Sequence, residues 1–277
     1  AGTGTYLDKN LFASRWGSIY GSDESNFAFS FSTFETSPLG RVLTETGPGK
    51  NWHQAGKRVA LYYGTNTANE VRRWKVDAAG TLIDGGYYPA NSLSRERTTD
   101  EDGNITESFT DARGQMVESV TYLSGQRLAT SNVYDDLGRL RHVLSPEANA
   151  RGPLTAGIIG LYGYYYAYDG KGRVTEKKLP GCAPVYLVYD KRDRLVMSQD
   201  GKQRAEDAKK WSYSLYDDLN REIETGEVVL SAATTPAALQ SSASASASYT
   251  PAGTRTVLSY TAYDTYPTTG NVIAIPF

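Results

Sequence analysis

Residues 189–195 read Tyr-Asp-Lys-Arg-Asp-Arg-Leu, and residues 168–174 read Tyr-Asp-Gly-Lys-Gly-Arg-Val. The pattern recurs at 134–140, as Tyr-Asp-Asp-Leu-Gly-Arg-Leu, and at 216–221, as Tyr-Asp-Asp-Leu-Asn-Arg. An aspartate side chain accepts hydrogen bonds from main-chain amides just after it, and glycine, aspartate or asparagine tolerates a left-handed conformation three residues later. A type I turn followed by such a residue joins two antiparallel strands. Each copy therefore predicts a β-hairpin.

Weaker copies and their spacing extend the repeat along most of the chain. They lie at residues 37–42, 76–82, 99–105 and 110–116. A further copy begins at Tyr263-Asp264 and has a longer turn, so that its turn glycine is Gly270. Most neighbouring motif aspartates are 21 to 27 residues apart, which suits one hairpin each because two strands and their turns need about 20 residues. Two longer intervals predict insertions near 145–161 and 232–253. Ser145-Pro146 and Thr235-Pro236 are typical helix starts, and the Ser/Ala-rich stretch 241–248 predicts a mobile loop.

The composition supports a turn-rich β protein and excludes several classes. The chain has 277 residues, with 21 Tyr against 7 Phe, and 27 Gly. Tyrosine favours strands and glycine favours turns. A formal net charge of −2 lacks the basic excess that general binding to nucleic acid or anionic membranes requires. The single cysteine, Cys182, excludes an intrachain disulfide, and no apolar run is long enough to span a bilayer.

The Tyr-Asp-x-x-Gly-Arg-Leu pattern resembles the signature of the RHS, or YD-repeat, proteins, over about residues 70–277. Residues 29–90 are similar to the uncharacterised domain that precedes the repeats in bacterial members. The resemblance implies a spiral β-sheet, which in bacterial toxin complexes and animal teneurins closes into a hollow shell. Members that process themselves carry an Asp-Pro core motif, and no Asp-Pro dipeptide occurs here. Self-cleavage and an enclosed effector are therefore not assigned.

The predicted fold is all-β, with stacked antiparallel hairpins forming a curled YD-repeat sheet and short helical insertions. Two regions are expected, an N-terminal β-rich region over residues 1–90 and the repeat sheet over 91–277. Because the chain starts at Ala1 and ends without a turn or cap, it is interpreted as a segment of a longer polypeptide.

The repeated motif residues are predicted to have a structural role. Catalysis needs one site with a special environment, whereas the same Asp–Arg pair occurs in each of the four strong copies. Each arginine is expected to stack on a neighbouring tyrosine or to span adjacent hairpins. The structural turn residues are Tyr134, Asp135, Gly138, Arg139, Tyr168, Asp169, Gly172, Arg173, Tyr189, Asp190, Arg194, Tyr216, Asp217 and Arg221. No catalytic, metal-binding or cofactor-binding residue is assigned, and no cofactor is expected.

One run of tyrosines is the sharpest local feature that the repeat does not explain. Tyr162, Tyr164, Tyr166 and Tyr168 would share one face of a strand over 161–168, because strand side chains alternate. The favoured interpretation is a cross-strand aromatic ladder. The alternative is a stacking surface for a sugar or another ligand, formed by the first three.

Other candidate residues carry weaker signals. Asp100 to Asn104 with Glu107 partly resembles a calcium loop, but the glycine and glutamate positions do not fit. His53 and His142 are the only candidate catalytic bases of a histidine-dependent triad, and both are interpreted as non-catalytic. Cys182 is interpreted as structural, and Asn104-Ile105-Thr106 matches a glycosylation sequon.

The predicted function is a non-catalytic structural scaffold, a shell-wall segment of a large secreted or surface bacterial protein. The alternative is a glycan- or protein-binding adhesion module, and a weaker one is a carbohydrate-active enzyme. The predicted partners are the rest of its own polypeptide and, as alternatives, surface glycans or other cell-surface proteins. Self-association through an exposed C-terminal strand edge is also considered. Nucleic acid and a membrane span are not expected, and the predicted location is extracellular or on the bacterial cell surface.

Overall fold

The computed structural model describes residues 17, 27, 29–151 and 153–264, and two compact units divide the chain. Unit 1 is Ala1–Gly138 and unit 2 is Arg139–Phe277. The two regions expected from the sequence, divided near residue 90, stay a prediction. Among the described residues, no helix has the length and apolar character needed to cross a membrane.

Unit 1 stacks hairpins that follow the turn motifs. Its elements are β1 (Phe31–Phe34), β2 (Val42–Thr46), α1 (Lys50–Gln54), β3 (Val59–Thr65), β4 (Arg72–Val76), β5 (Leu82–Tyr87), β6 (Ser94–Thr99), β7 (Ile105–Thr110), β8 (Met116–Leu123) and β9 (Gln126–Tyr134). The sheet has the order β1-β2-β3-β6-β7-β8-β9 with antiparallel neighbours. Strands β4 and β5 leave this order and form a separate two-stranded ribbon.

Unit 2 continues the same plan with three insertions between its strands. Its elements are β10 (Leu140–Leu144), α2 (Pro146–Ala150), α3 (Ala156–Tyr162), β11 (Gly163–Tyr168), β12 (Val174–Lys178), β13 (Val185–Tyr189), β14 (Leu195–Gln199), α4 (Gly201–Glu206), β15 (Lys210–Tyr216), β16 (Glu222–Leu230), α5 (Pro236–Ser244) and β17 (Gly253–Tyr260). Strands β10 to β17 pair antiparallel in chain order. The prediction of an all-β fold of stacked antiparallel hairpins with short helical insertions is confirmed.

The helical insertions begin where the caps predict them. The Ser145 hydroxyl accepts from the Ala148 amide at 3.3 Å, and the Thr235 hydroxyl accepts from the Ala238 amide at 3.2 Å. The loop expected over residues 241–248 is wrong in its first half, because α5 continues to Ser244. Ala243 lies one turn after Leu239, and both side chains are buried, so packing on the sheet extends the helix through a sequence of low complexity.

Each unit has its own buried cluster. In unit 1, Phe109 and Val120 of the sheet pack with Val71 and Leu93, which flank the ribbon. In unit 2, Trp211 is completely buried in a cluster that includes Leu239 and Ala243 of α5. One sheet face in each unit is thus covered by an insertion, because a strand's apolar face needs a partner layer.

Candidate functional site

The strongest candidate site is the row of hairpin turns that carries the Tyr-Asp motif. In every strong copy the amide three residues after the aspartate donates to the aspartate main-chain oxygen. These bonds are Gly138 to Asp135 at 2.9 Å, Gly172 to Asp169 at 3.0 Å, Asp193 to Asp190 at 3.1 Å and Asn220 to Asp217 at 3.1 Å. The donor residue has a φ of +63° to +82° in all four. This left-handed conformation explains why glycine, aspartate and asparagine occupy the position.

The aspartate carboxylate of the motif holds the turn together. Oδ1 of Asp190 accepts from the amides of Arg192 at 2.9 Å and Arg194 at 3.0 Å, and Oδ2 accepts from Arg194 Nε at 2.8 Å. Asp169 and Asp217 make the same three contacts within their motifs. The Asp190 side chain is fully buried. Both of its oxygens are therefore committed to the turn.

The pKa values of two motif aspartates reflect these contacts. The main-chain amide of Arg221, together with its guanidinium, lowers the pKa of Asp217. Burial opposes ionisation of Asp169, but the Arg173 amide and guanidinium outweigh it and lower the pKa of that carboxyl. Hydrogen bonds to the charged form favour it, so these carboxylates are kept ionised rather than poised to exchange a proton.

Each motif arginine reaches the tyrosine of the following motif. The guanidinium carbon lies above the next ring at 5.1 Å for Arg139 on Tyr168, 4.8 Å for Arg173 on Tyr189, 4.8 Å for Arg194 on Tyr216 and 4.4 Å for Arg221 on Tyr263. A guanidinium within about 6 Å of a ring centroid is attracted to the ring face. The expected arginine–tyrosine stacking between neighbouring hairpins is present in the structure.

Two hydrogen bonds accompany three of these four contacts between successive motifs. Arg194 Nη1 donates to the main-chain oxygen of Asp217 at 3.2 Å, and the Tyr216 hydroxyl donates back to the Leu195 carbonyl at 3.0 Å. The equivalent pairs are Arg139 to Asp169 and Tyr168 to Leu140, and Arg173 to Asp190 and Tyr189 to Val174. We call this reciprocal set of contacts the Arg–Tyr rung. The structure brings together the predicted turn residues as successive rungs of one ladder in unit 2.

Sequence reasoning missed a second role of Asp193 and Asn220. Where these residues replace glycine, their side chains accept from the arginine of the preceding motif: Arg173 Nη1 contacts Asp193 Oδ1 at 2.7 Å, and Arg194 Nη1 contacts Asn220 Oδ1 at 3.1 Å. The signal was available, because aspartate and asparagine are the two replacements that combine left-handed geometry with an acceptor.

The ladder is reduced in the middle of unit 1. There Gln115 replaces the motif arginine, and its Nε2 donates to the Gly138 carbonyl at 3.1 Å while the Tyr134 hydroxyl donates to the Met116 carbonyl at 3.2 Å. The hydrogen-bonded half of the rung is thus kept without a cation on the ring. In the degenerate first copy, Arg41 stacks on Tyr63 at 4.3 Å.

The tyrosine run at 162–168 does not form one continuous strand face. Tyr162 is the last residue of α3, and β11 starts at Gly163, whose amide donates to the Ile159 carbonyl. The prediction that Tyr162 shares a strand face with the others is therefore wrong. Tyr164 and Tyr166 do share one face of β11, where they lie opposite Val143 and Lys177 and are half-buried. Ligand binding by these two stays a prediction.

The other candidate residues have structural partners. Oδ1 of Asp100 accepts from the amides of Asp102 and Asn104, so the calcium-loop candidate is a motif turn. The carboxylate of Glu107 binds Arg95, Arg97 and Tyr122. Among the described residues, no three His, Cys, Asp or Glu side chains are grouped as metal ligands. Cys182 is exposed, and His53 Nε2 lies 3.2 Å from the Phe29 carbonyl.

Comparison with known proteins gives limited matches. Residues 1–65 match the model of a family described as a domain of unknown function (DUF6443), which is less than a quarter of the chain and ends before the strong motifs. No curated protein matches the sequence.

Comparison with solved structures finds similarities at low identity and low TM-score. A crystal structure of TcdB2-TccC3 without its hypervariable C-terminal region matches with a TM-score of 0.42 and 13% identity, over 74% of this chain and 11% of that one. The Tc holotoxin pore of Photorhabdus luminescens matches with a TM-score of 0.39 and 10% identity, over 90% of this chain and 16% of that one. This chain thus spans a small part of the length of those proteins.

Proposed function

We propose that this chain is a non-catalytic structural β-scaffold, a wall segment of a longer RHS/YD-repeat protein secreted by or displayed on a bacterium. The Arg–Tyr rung carries the proposal, because its arginine–tyrosine stacking repeats four times and its two hydrogen bonds repeat three times with equivalent partners. A catalytic or binding site is normally single and has its own environment, whereas an equivalent contact at successive hairpins adds neighbour-to-neighbour stability along an array.

The electrostatics of the motif support the same proposal. The Arg194 guanidinium is bound at once by its own Asp190, by the Tyr216 ring and by the Asp217 carbonyl. These contacts leave Asp190 fully buried and Arg194 only one-tenth exposed. Groups whose hydrogen-bonding capacity is satisfied within the turn are suited to holding hairpins in register and poorly suited to binding a substrate.

Arg194→Ala in the full chain tests the scaffold. The change leaves the buried Asp190 carboxylate without its cation, which we expect to cost about 3–5 kcal/mol of unfolding free energy. It also removes the contact with the next motif, so hydrogen exchange measured by mass spectrometry should accelerate in both β13–β14 and β15–β16. If Arg194→Ala does not fold, Arg194→Lys should fold and show a smaller acceleration in the same two hairpins.

Lys191→Ala is the matched control. Lys191 belongs to the same turn and is exposed, so its removal should cost at most about 0.5 kcal/mol. Equal effects of the two changes, or acceleration confined to β13–β14, would contradict a ladder that couples neighbouring hairpins.

The second candidate function is an adhesion module that binds glycans or proteins. Its supporting observation is the pair Tyr164 and Tyr166, which present half-buried rings on one face of β11. A binding signal on an array of glycans that disappears in Tyr164→Ala would favour it over the scaffold alone.

A further inference from the structure

The insertion between β16 and β17 leaves the sheet of unit 2 and returns to it at the same place. Leu230, the last residue of β16, pairs with Gly253, the first residue of β17. Residues 231–252 are therefore a loop whose two ends are joined by strand pairing, and we call this loop the strap. Because the pairing closes its base, the strap can move away from the sheet without changing the register of β16 and β17.

The strap rests on the sheet through a small apolar contact. Leu239 and Ala243 of α5 are buried, and Tyr249 packs half-buried against the same cluster around Trp211. Residues 231–235, which lead into α5, are all exposed. A segment with few buried apolar side chains and an exposed connection belongs to the part of a structure that opens at low free-energy cost.

Gln240 fastens α5 to a single residue of β13. Its Oε1 accepts from the Tyr189 amide at 2.9 Å, and its Nε2 donates to the Tyr189 carbonyl oxygen at 2.7 Å. These are the two bonds that a residue of a neighbouring antiparallel strand exchanges with its partner. Both bonds join the same two residues, so they are made and broken together when the strap closes or opens.

The chain after α5 makes a second contact, with the motif turn between β13 and β14. The Ser246 carbonyl accepts from the Lys191 amide at 3.0 Å, and the Ala247 carbonyl accepts from Arg194 Nη2 at 2.6 Å. The other N–H groups of Arg194 are bound by Asp190, Asp217 and Asn220. The strap thus takes the last N–H of an arginine whose contacts with the next motif are complete without it.

We propose that the strap opens and closes as a unit on the β13–β14 hairpin, with hinges on both sides of its paired base. Closed, it covers the apolar cluster around Trp211. Open, it uncovers part of that cluster while the strands stay paired. This conformational change is independent of the scaffold proposal, because absence of coupling in Arg194→Ala would contradict the ladder and leave the hinged strap intact.

Residue-resolved hydrogen exchange of the full chain, measured by NMR, tests the strap. In the unaltered chain the amides of α5 and of Lys191 should exchange faster than those of β15 and β16, because they open without the sheet. Gln240→Ala removes both bonds to Tyr189 and places a strong helix former in α5. It should accelerate exchange of the α5 and Lys191 amides about tenfold, as expected for the loss of one or two hydrogen bonds, and leave β15 and β16 unchanged.

The Lys191 amide is the decisive reporter, because Gln240 does not bind it and its acceptor, Ser246, follows α5. Leu239→Ala should accelerate the same amides by a larger factor, since removing a buried leucine costs more than removing a hydrogen bond.

Ser241→Ala is the matched control, since Ser241 is the next residue of α5 and is exposed, and it should exchange like the unaltered chain. The proposal is overturned if Gln240→Ala accelerates the Tyr189 amide alone, if it accelerates β15 and β16 by the same factor as the strap, or if it has no larger effect than Ser241→Ala. Exchange of α5 at the rate of β15 and β16 in the unaltered chain would overturn it as well.

Discussion

Units 1 and 2 stack hairpins through the same turn chemistry but bury different side chains. In unit 1 the sheet face beside Phe109 contains two buried glutamates: Glu107 binds Arg95 and Arg97, and Glu118 binds Arg127. In unit 2 the corresponding layer is apolar and centres on Trp211, which α5 helps to cover. The turn motif thus determines how strands are connected, and the insertion packed on the sheet determines what is buried.

The two cores also differ in how they depend on neighbouring strands. Glu107 on β7 is held by arginines of β6 and by the Tyr122 hydroxyl of β8 at 3.0 Å, so three strands must be in register before its charge is compensated. The ring of Trp211 is enclosed without any directional contact, because apolar burial needs none, and its buried indole nitrogen has no hydrogen-bond partner among the described residues. Unit 1 therefore specifies register through charge, whereas unit 2 specifies it through packing and the Arg–Tyr ladder.

The largest expected effect on the difference between the two cores comes from removing Trp211 from unit 2. Trp211→Ala should lower the free energy of unfolding by about 3–5 kcal/mol, because the removed ring leaves a cavity in a fully buried site. Urea denaturation combined with hydrogen exchange should place the loss in β13 to β16. Trp52→Ala is the control, since Trp52 is 43% exposed. A loss for Trp211→Ala no greater than for Trp52→Ala would show that apolar packing does not dominate unit 2.

A smaller effect, dependent on pH, should separate the two glutamates of unit 1. Burial raises the pKa of Glu118 above its ordinary value, despite the neighbouring Arg127. Burial acts in the same direction on Glu107, but hydrogen bonds from Arg95, Arg97 and Tyr122 prevail and lower its pKa. The contribution of Glu118 is therefore favourable below pH 4.5 and is lost as the pH rises through its raised pKa. The contribution of Glu107 is present above pH 4.5 and is lost as the pH falls through its lowered pKa.

Glu107→Gln and Glu118→Gln test these opposite signs. The stability deficit of Glu107→Gln relative to the unaltered chain should shrink as the pH falls from 7 towards 3. Glu118→Gln should gain stability relative to the unaltered chain as the pH rises from 4 to 7. The measurement is urea denaturation at several pH values, with Glu96→Gln as the control, because Glu96 is an exposed residue of β6 that alternates with Arg95 and Arg97. Parallel pH trends in the two variants would contradict the assignment of one carboxylate to each environment.

The sequence predicts what is local and misses what depends on other strands. Turns at Asp169 and Asp190 follow from side-chain chemistry within five residues, and the helix starts at Pro146 and Pro236 follow from their caps. The hairpin around Asp77 was also predicted, but not its separation from the main sheet as the β4–β5 ribbon. Local turn chemistry makes a hairpin and does not choose its neighbours.

The predicted site shows the same limit. The arginine–tyrosine contact could be anticipated from the repeat, because the two residue types recur at fixed offsets. The burial of Glu107 could not, since in sequence it is one polar residue in an alternating strand, and its arginines lie on β6. The position of Tyr162 was predicted wrongly because α3 extends over the first two residues of the stretch 161–168 that alternation predicts as a strand. The repeat copy that begins at Tyr263-Asp264 is described only as far as Asp264, and Gly270, which completes it, lies outside the described residues.

The smallest expected effect isolates the element that both units share. Gly114 in unit 1 and Gly172 in unit 2 have φ values of +78° and +82°, and an added Cβ would meet nothing within 4 Å at either. Gly114→Ala and Gly172→Ala should therefore each cost about 1–2 kcal/mol, from backbone strain alone.

Gly170→Ala is the control within the same turn, because Gly170 also has open space but no positive φ, and it should be close to neutral. Thermal unfolding and urea denaturation measure all three. Gly114 is followed by the uncharged Gln115, whereas Gly172 is followed by Arg173. Equal costs would therefore show that the stability of the turn does not depend on an arginine after the glycine. A clearly larger cost at Gly172 would show that strain in the turn is transmitted to the Arg173–Tyr189 rung, so that turn and ladder in unit 2 act as one cooperative element that the middle of unit 1 lacks.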